Sequence, residues 1–121
     1  HVLCHDASTK YSLGYTKIGR VNIGNNVFVG ADTTILPGVT IGDNVVIGAH
    51  STVTHDIEEN SVVVGTPAKK IMTYNDYIKK ERETMKNAPI YGEEYTLRKN
   101  VSLDLRLKQK KELLQKKGYI D

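Results

Sequence analysis

The sequence predicts a mainly β fold: a solenoid of very short strands over residues 1–71, followed by a helical tail over residues 72–121. Aliphatic residues recur every six positions in the first segment, which also holds eight of the ten glycines. Charge changes at the same place. Residues 1–71 carry five basic and six acidic residues, a net −1, whereas residues 72–121 carry twelve and eight, a net +4. The 121-residue length supports one domain with its tail.

The six-residue repeat has an aliphatic residue at its first position, and in four repeats glycine follows directly. The aliphatic residues are Ile23, Val29, Ile35, Ile41, Ile47 and Val53. An α-helix repeats every 3.6 residues and cannot keep such a stripe on one face. A solenoid with a tight corner every six residues can, with the aliphatic side chains pointing inward and Gly or Asn adopting positive φ at the corners. We expect corners at Asn25-Asn26 and Asp43-Asn44.

Upstream of the regular repeat, the pattern is interrupted. Val21 keeps the spacing, but Ile18-Gly19 is one residue out of phase. We therefore predict that residues 6–17 form a loop that leaves the solenoid and returns near Ile18.

Composition excludes several classes of protein. The single cysteine, Cys4, excludes an internal disulfide framework and a cysteine-rich zinc site, and it fits a reducing, cytoplasmic setting. No run approaches the ~18 apolar residues of a membrane helix, so we expect no membrane insertion. No signal peptide is visible. Because the chain opens at His1, we expect that an N-terminal part is missing.

The repeat and the residues after it carry a family resemblance. Residues 23–71 read IGNNVFVGADTTILPGVTIGDNVVIGAHSTVTHDIEENSVVVGTPAKKI, and CHDAST stands upstream. This stretch resembles the hexapeptide-repeat acyltransferases, above all the galactoside, maltose and polysaccharide O-acetyltransferases. The resemblance implies a left-handed parallel β-helix with three hexads per triangular coil, against the usual right-handed rule. It also implies homotrimers with active sites between neighbouring β-helices, and direct transfer of acetyl from acetyl-CoA to a hydroxyl.

His5 is the residue that we predict to act as general base. Attack of a hydroxyl on a thioester needs a base, and neutral imidazole has a suitable reference pKa. The resemblance places the family's catalytic histidine at a matching distance from Asn25-Asn26. We also assign Asp6 to the catalytic group, as a neighbour that could orient the ring. The alternative for His5 is a solvated histidine, and a nucleophilic Cys4 is disfavoured.

Other residues are mapped onto coenzyme A contacts by the resemblance. Small residues would lie along the pantetheine arm, an aromatic side chain would form a groove wall, and lysines would meet the phosphates. The residues are Phe28, Ala31, Ala49, Thr54, Thr66, Lys69 and Lys70. Each has a purely structural alternative: corner geometry, packing or a solvated charge.

Two other functions remain open from the sequence. His50 and His55 have the spacing that γ-class carbonic anhydrases use for zinc on the same fold, with a third ligand from His1, His5 or another chain. A non-catalytic oligomerisation subunit is the other alternative. The preferred reading is an O-acetyltransferase that uses acetyl-CoA, needs no metal and acts on a hydroxyl of a sugar or glycan precursor.

The tail shows two helical patterns. We predict helices over residues 74–87 and 102–117, with Ser102 as N-cap of the second and Gly118 after its end. A packing stripe is expected from Leu103, Leu107 and Leu114, with Val101 and Leu113 more loosely placed. The lysine clusters carry no nucleic-acid motif, so we interpret them as a solvated face of a segment that caps or braces the oligomer.

Overall fold

The computed structural model describes all residues, His1–Asp121, and they form two compact units, His1–Tyr77 and Ile78–Asp121. The division falls six residues beyond the boundary expected after Ile71. A strand continues to Thr73, and the backbone N–H of Tyr74 donates to the carbonyl of Asn60 at 3.0 Å. These hydrogen bonds hold residues 72–77 in the first unit.

The first unit is built from strands of two to five residues. They are β1 His5–Asp6, β2 Lys17–Ile18, β3 Asn22–Ile23, β4 Val27–Val29, β5 Thr34–Ile35, β6 Thr40–Ile41, β7 Val45–Ile47, β8 Thr52–Val53, β9 Ser61–Val64 and β10 Lys69–Thr73. A short helix, α1 Lys10–Leu13, lies between β1 and β2, and α2 Tyr74–Met85 follows β10.

Strands one coil apart pair in parallel, which confirms the predicted solenoid. Strands β3 and β6, β4 and β7, and β5 and β8 form three separate ladders, each with partners 18 residues apart, or three hexads. The next coil is shorter, because β9 pairs with β7 at an offset of 16 residues. Strand β10 then turns back and pairs antiparallel with β9. Each complete coil therefore has three faces and three corners.

The aliphatic stripe forms the core, as predicted, except at its beginning. Ile35, Ile41, Ile47 and Val53 are at most 1% exposed, and with neighbouring valines they form one hydrophobic cluster. Two others differ: Ile23 is 44% exposed and Val29 is 41% exposed. They belong to the first regular coil, and their strands have a partner on one side only.

Positive φ at the corners occurs at Asn, Asp and His, not at the glycines that follow the aliphatic residues. The asparagine corner, formed by Asn26, Asn44 and Asn60, has φ near 55° in every coil. The repeat glycines instead allow neighbouring coils to stack closely, because a β-carbon on Gly42 would lie only 2.6 Å from the backbone nitrogen of Glu59. The expectation that these glycines adopt positive φ was therefore wrong. Glycine is needed there because the neighbouring coil leaves no room for a side chain.

The second unit contains the rest of α2, the strands β11 Ile90–Tyr91 and β12 Tyr119–Ile120, which pair in parallel, and α3 Leu103–Glu112. Three short 3₁₀ turns complete the structure, at Ala7–Thr9 in the first unit and at Glu93–Tyr95 and Leu97–Lys99 in the second. Helix α2 ends two residues before its predicted end. None of the helices is long and apolar enough to cross a bilayer.

Helix α3 departs from the prediction in length and in packing. Ser102 caps it by accepting a hydrogen bond from the N–H of Leu105, but the helix ends at Glu112 and not near residue 117. Gly118 instead packs closely against the carbonyl of Pro89 and the Tyr91 ring, so the chain must turn back before it. The predicted stripe was wrong as well, since Leu103, Leu107, Leu113 and Leu114 are exposed and Val101 alone is buried.

Candidate active site

The loop that carries His5 leaves and rejoins the β-helix at one point. The backbone N–H of Gly19 donates to the carbonyl of Cys4 at 3.0 Å. Residues 4 and 19 are therefore neighbours in the β-helix, and the residues between them loop out of it. Residues 5–18, which we call the excursion, start and end as an antiparallel hairpin that pairs His5 with Ile18 and Asp6 with Lys17. The loop predicted for residues 6–17 is confirmed.

Asp6 closes the excursion. Its carboxylate accepts a hydrogen bond from the backbone N–H of Ser8 at 2.8 Å and lies 2.6 Å from the ammonium of Lys17. The hydrogen bond with Lys17, and then those with Ser8, lower the pKa of Asp6 from 3.8 to about 2. No hydrogen bond joins Asp6 to His5, and neighbouring side chains on a strand point to opposite faces. The carboxylate therefore fixes the loop rather than the imidazole ring.

His5 lies on β1, exposed, and its imidazole makes no hydrogen bond or ion pair within the chain. Because the ring is not engaged by a carboxylate, both nitrogens are accessible to a substrate or to a neighbouring chain. The ring is therefore accessible for proton transfer to a bound substrate.

Small residues stack along a second corner of the β-helix. This alanine corner consists of Ala31, Ala49 and Thr66, one from each coil. The N–H of His50 donates to the carbonyl of Ala31 at 2.9 Å, and the Thr66 hydroxyl donates to the carbonyl of His50 at 3.3 Å. Ala31 and Ala49 are exposed. Because their side chains are short, a thin ligand can approach the backbone along this edge.

Phe28 and Thr54 are not part of the alanine corner. Phe28 projects from β4 and is 63% exposed, so it is not a core residue. Thr54 follows β8, one coil below Leu36, at the corner where Gly19 stacks on Pro37-Gly38 from the coil above. We call this third corner the excursion corner. The Thr54 hydroxyl lies 2.8 Å from Nδ1 of His55.

The two predicted phosphate-binding lysines are in different environments. Both lie on β10, where Lys69 pairs with Val64 and Lys70 pairs with Val63. The Lys70 ammonium lies 2.6 Å from a carboxylate oxygen of Glu58 and holds the pKa of that carboxyl below its usual value. Lys69 has no ion pair. The structure thus distinguishes a free cation from one that is already neutralised.

His50 has a partner that the sequence analysis missed. Its Nε2 lies 3.6 Å from a carboxylate oxygen of Asp32, the residue one coil above it at the alanine corner. The 18-residue separation of these two residues is the signal that would have revealed the pair. His55 lies beyond β8, at the excursion corner, so the two histidines do not share one ligand sphere within the chain. No group of three or more His, Cys, Asp or Glu residues is arranged to hold a metal.

One chain does not bring all of the predicted site residues together. His5 emerges at the excursion corner, and the alanine corner lies at the other edge of the face formed by β5 and β8. No hydrogen bond links His5 to Phe28, to Lys69 or to either alanine. The predicted residues therefore form two half-sites on different edges of the β-helix.

Comparison with known proteins agrees with this fold. Residues 20–55 match the family described as bacterial transferase hexapeptide (six repeats). The chain is 56% identical over 69 residues to Protein CapG of Staphylococcus aureus, and the match covers 57% of this chain and 38% of that protein. It is 46% identical over 57 residues to a chloramphenicol acetyltransferase of Klebsiella aerogenes, of which it covers 27%.

Solved structures are similar over the same part of the chain. A maltose O-acetyltransferase from Clostridium difficile 630 has 45% identity and a TM-score of 0.53, with 60% of this chain and 40% of that one covered. A galactoside acetyltransferase in complex with coenzyme A has 50% identity and a TM-score of 0.51, with 53% and 32% covered. The resemblance to hexapeptide-repeat acetyltransferases is confirmed, and the chain spans less than half the length of these relatives.

Proposed function

We propose that this chain forms the catalytic β-helix of an O-acetyltransferase that moves acetyl from acetyl-CoA to a hydroxyl of a sugar or glycan precursor. The observation that carries the proposal is the alanine corner, where stacked small residues leave the backbone open to a long, thin ligand. The same coils are 50% identical to a galactoside acetyltransferase that binds coenzyme A. Likeness to that enzyme and to a maltose acetyltransferase supports a sugar acceptor.

The half-sites support assembly as a homotrimer of left-handed β-helices. His5 of one chain and the alanine corner of the same chain lie on different edges, so packing prisms side by side would set the excursion of one beside the alanine corner of the next. Each trimer would then contain three equivalent sites. Closed symmetric assemblies of this kind are the rule for soluble homo-oligomers.

The chemistry follows from the exposed imidazole. We assign His5 as the general base that takes the proton from the acceptor hydroxyl as its oxygen attacks the thioester carbonyl. The tetrahedral oxyanion would be held by backbone N–H groups. The C–S bond then breaks, coenzyme A leaves as a thiolate, and the imidazolium returns the proton to the sulfur. Asp6, with its ion pair to Lys17, positions the strand that carries His5.

Coenzyme A would contact residues at the two corners and on the sheet that contains β4 and β10. Ala31, Ala49 and Thr66 would line the pantetheine arm, and Thr54 would approach it from the excursion corner. Phe28 would form an apolar wall, which its exposed ring allows. Lys69, with Lys70 beside it, would meet the phosphates as a point charge. The exposed, unpaired Cys4 fits the reducing cytoplasm, where we place the reaction.

Titration calorimetry on metal-stripped protein tests the proposal, combined with thiol release from acetyl-CoA in the presence of sugar acceptors. We expect micromolar binding of acetyl-CoA. His5→Ala should keep that binding and lose about 100-fold or more in thiol release, whereas His55→Ala should keep both. Absence of binding, together with tightly held zinc that is lost on replacing His50, would overturn the proposal in favour of a carbonic-anhydrase-like enzyme.

A further inference from the structure

Helix α3 of the second unit carries leucines on two opposite sides. The side with Leu105 and Gln109 is half-buried, whereas Leu103 and Leu107 are 69% and 55% exposed. With 3.6 residues per turn, residues four apart lie on one side of a helix, and the residue midway between them lies on the other. Leu103 and Leu107 therefore form one outward surface, which we call the leucine face. Leu114, in the turn after the helix, is also 74% exposed.

Cations flank the leucine face. By the same helical geometry, Arg106 and Lys110 lie on one side of it and Lys111 lies on the other. All three are exposed. The ion pairs of the second unit lie outside α3, so these three charges are not neutralised within the chain. A group of exposed leucines that is bordered by free cations indicates an interaction surface rather than an ordinary solvated face.

The helix that presents this surface is held from its other side. The Ser102 hydroxyl accepts a hydrogen bond from the N–H of Leu105 at 3.3 Å and caps the first turn. In the last turn, Glu112 accepts a hydrogen bond from the Tyr91 hydroxyl at 2.8 Å. A partner that covers the leucine face would not have to order the helix first.

The combination of leucines and cations distinguishes among the partners that such a face could contact. A second copy of this chain, packed face to face, would bring cations against cations. A nucleic acid would match the cations but leave the leucines in water, and the face offers no aromatic ring on which a base could stack. A bilayer surface with anionic headgroups matches both features. Leucines enter the boundary of the acyl chains, while Lys and Arg reach the headgroup phosphates on long aliphatic stems.

We propose that α3 lies on a bilayer surface that contains anionic lipid, with the leucine face in the interface and the flanking cations against the headgroups. This inference goes beyond the proposed function and does not depend on it. The helix has 10 residues. At 1.5 Å per residue it is about 15 Å long, half of the roughly 30 Å hydrocarbon layer, so it lies along the surface and does not cross it.

Cosedimentation of the full chain with vesicles tests the proposal. Wild type should bind vesicles of phosphatidylcholine with phosphatidylglycerol about tenfold or more tightly than vesicles of phosphatidylcholine alone. The double variant Leu103→Gln with Leu107→Gln should bind about tenfold more weakly. Lys110→Gln with Lys111→Gln should lose about ten- to thirtyfold.

A matched control removes the same charge elsewhere in the second unit. Lys79 and Lys80 are neighbouring exposed lysines on α2, and replacing both with Gln should change vesicle binding less than about threefold. Circular dichroism should show the same helix content in every variant, because the replaced side chains are exposed and Gln is a good helix former.

Fluorescence locates the contact on the helix. The chain has no tryptophan, so Leu107→Trp introduces a single reporter. Its emission should shift to shorter wavelength with phosphatidylglycerol vesicles and be quenched by brominated acyl chains, because the indole leaves water. Lys79→Trp should show neither effect.

Three results would overturn the proposal. The first is no binding to phosphatidylglycerol vesicles, or equal binding to phosphatidylcholine alone. The second is unchanged vesicle binding in the leucine double variant, which would indicate a site for polyanions such as nucleic acid. The third is a change of oligomeric state in that variant without vesicles, seen by light scattering, which would assign the leucine face to a second copy of the chain.

Discussion

A β-carbon on Gly30 would overlap the backbone nitrogen of Ala49, the residue that follows Gly48 in the next coil. The two backbones approach this closely because β4 and β7 stack in register, with Val29 opposite Ile47. The alanine corner therefore depends on a glycine that the ligand never has to touch. Any side chain at residue 30 would push the coils apart at the edge where we place coenzyme A.

Gly30→Ala should lower the free energy of unfolding by about 2 kcal/mol or more, because the added methyl group meets backbone and not a mobile side chain. Urea denaturation followed by circular dichroism measures the change. Ser12→Ala, on the exposed part of the excursion, is the control and should stay within about 0.5 kcal/mol of wild type. Equal stability of the two variants would refute the close approach.

Asn44→Ala should destabilise the β-helix by about 2 kcal/mol, through the left-handed backbone and the lost amide ladder. The Nδ2 of Asn26 donates to Oδ1 of Asn44 at 2.7 Å, and the amide of Asn44 donates to Asn60 at 3.3 Å. In Asn44→Gly the glycine adopts positive φ without strain, so the loss of stability should be about half as large. The test is the order of the two denaturation midpoints. A higher midpoint for Asn44→Ala than for Asn44→Gly would contradict the prediction.

Lys17→Met should return the pKa of Asp6 from about 2 toward 3.8, because the hydrogen bond with Lys17 is the main cause of the lowered value. Carboxyl ¹³C shifts recorded against pH measure both midpoints. A folded-state pKa below the unfolded value means that the interaction stabilises the closed excursion above pH 4, and that this stabilisation is lost as the pH falls toward 2. A wild-type midpoint near 3.8 would show that the ion pair does not form.

Lys69→Ala should weaken coenzyme A binding five- to twentyfold, as expected for the loss of a charge-assisted contact with phosphate. Lys70→Ala should change the Kd by less than threefold, because that ammonium already pairs with Glu58. Calorimetry at two salt concentrations measures both effects, and the salt dependence should be shallower in the Lys69 variant alone. A larger effect at Lys70 would reverse the assignment.

Tyr91 of the second unit should lose its proton at a higher pH than an ordinary tyrosine. Burial, and then the hydrogen bond from its hydroxyl to Glu112 at 2.8 Å, raise the pKa of Tyr91 from 10 to about 12. The raised pKa means that stability from this contact is present below pH 10 and is lost as the pH rises toward 12. A pH titration followed by absorbance at 295 nm should show a transition near pH 12 that is absent in Tyr91→Phe. Glu112→Gln should move it to lower pH.

Much of the β-helix could be predicted because its physics is local and periodic. A six-residue aliphatic spacing allows one kind of solenoid, and Asn26 and Asn44 fall at its corners because they follow the repeat. The excursion was visible as a break in phase before Gly19. The repeat did not reveal what the glycines do, because the clash at Gly42 depends on the stacking distance between coils and not on its own φ.

The parts that were missed depend on contacts between distant residues. Helix α3 ends at Glu112 because the chain must return to pair β12 with β11, and no local stop signal in residues 113–117 marks that turn. The pairing of Asp6 with Lys17, and of Lys70 with Glu58, required the hairpin and the antiparallel β10. At the candidate site, the residues proposed from the sequence lie at different corners of the β-helix, and the repeat alone did not reveal that division.

The hydrogen bond between Gly19 and Cys4 has a consequence for how such proteins can change. Loss of one residue within a strand would shift every later side chain by one position and turn the aliphatic stripe outward. A change of length within residues 5–18 has no such effect, because this loop begins and ends at one corner and the hydrogen bond between Gly19 and Cys4 joins the β-helix across its base. Residues can be inserted or deleted there at a small entropic cost. The length and sequence of this loop can thus change while the stacked coils beneath it stay unaltered.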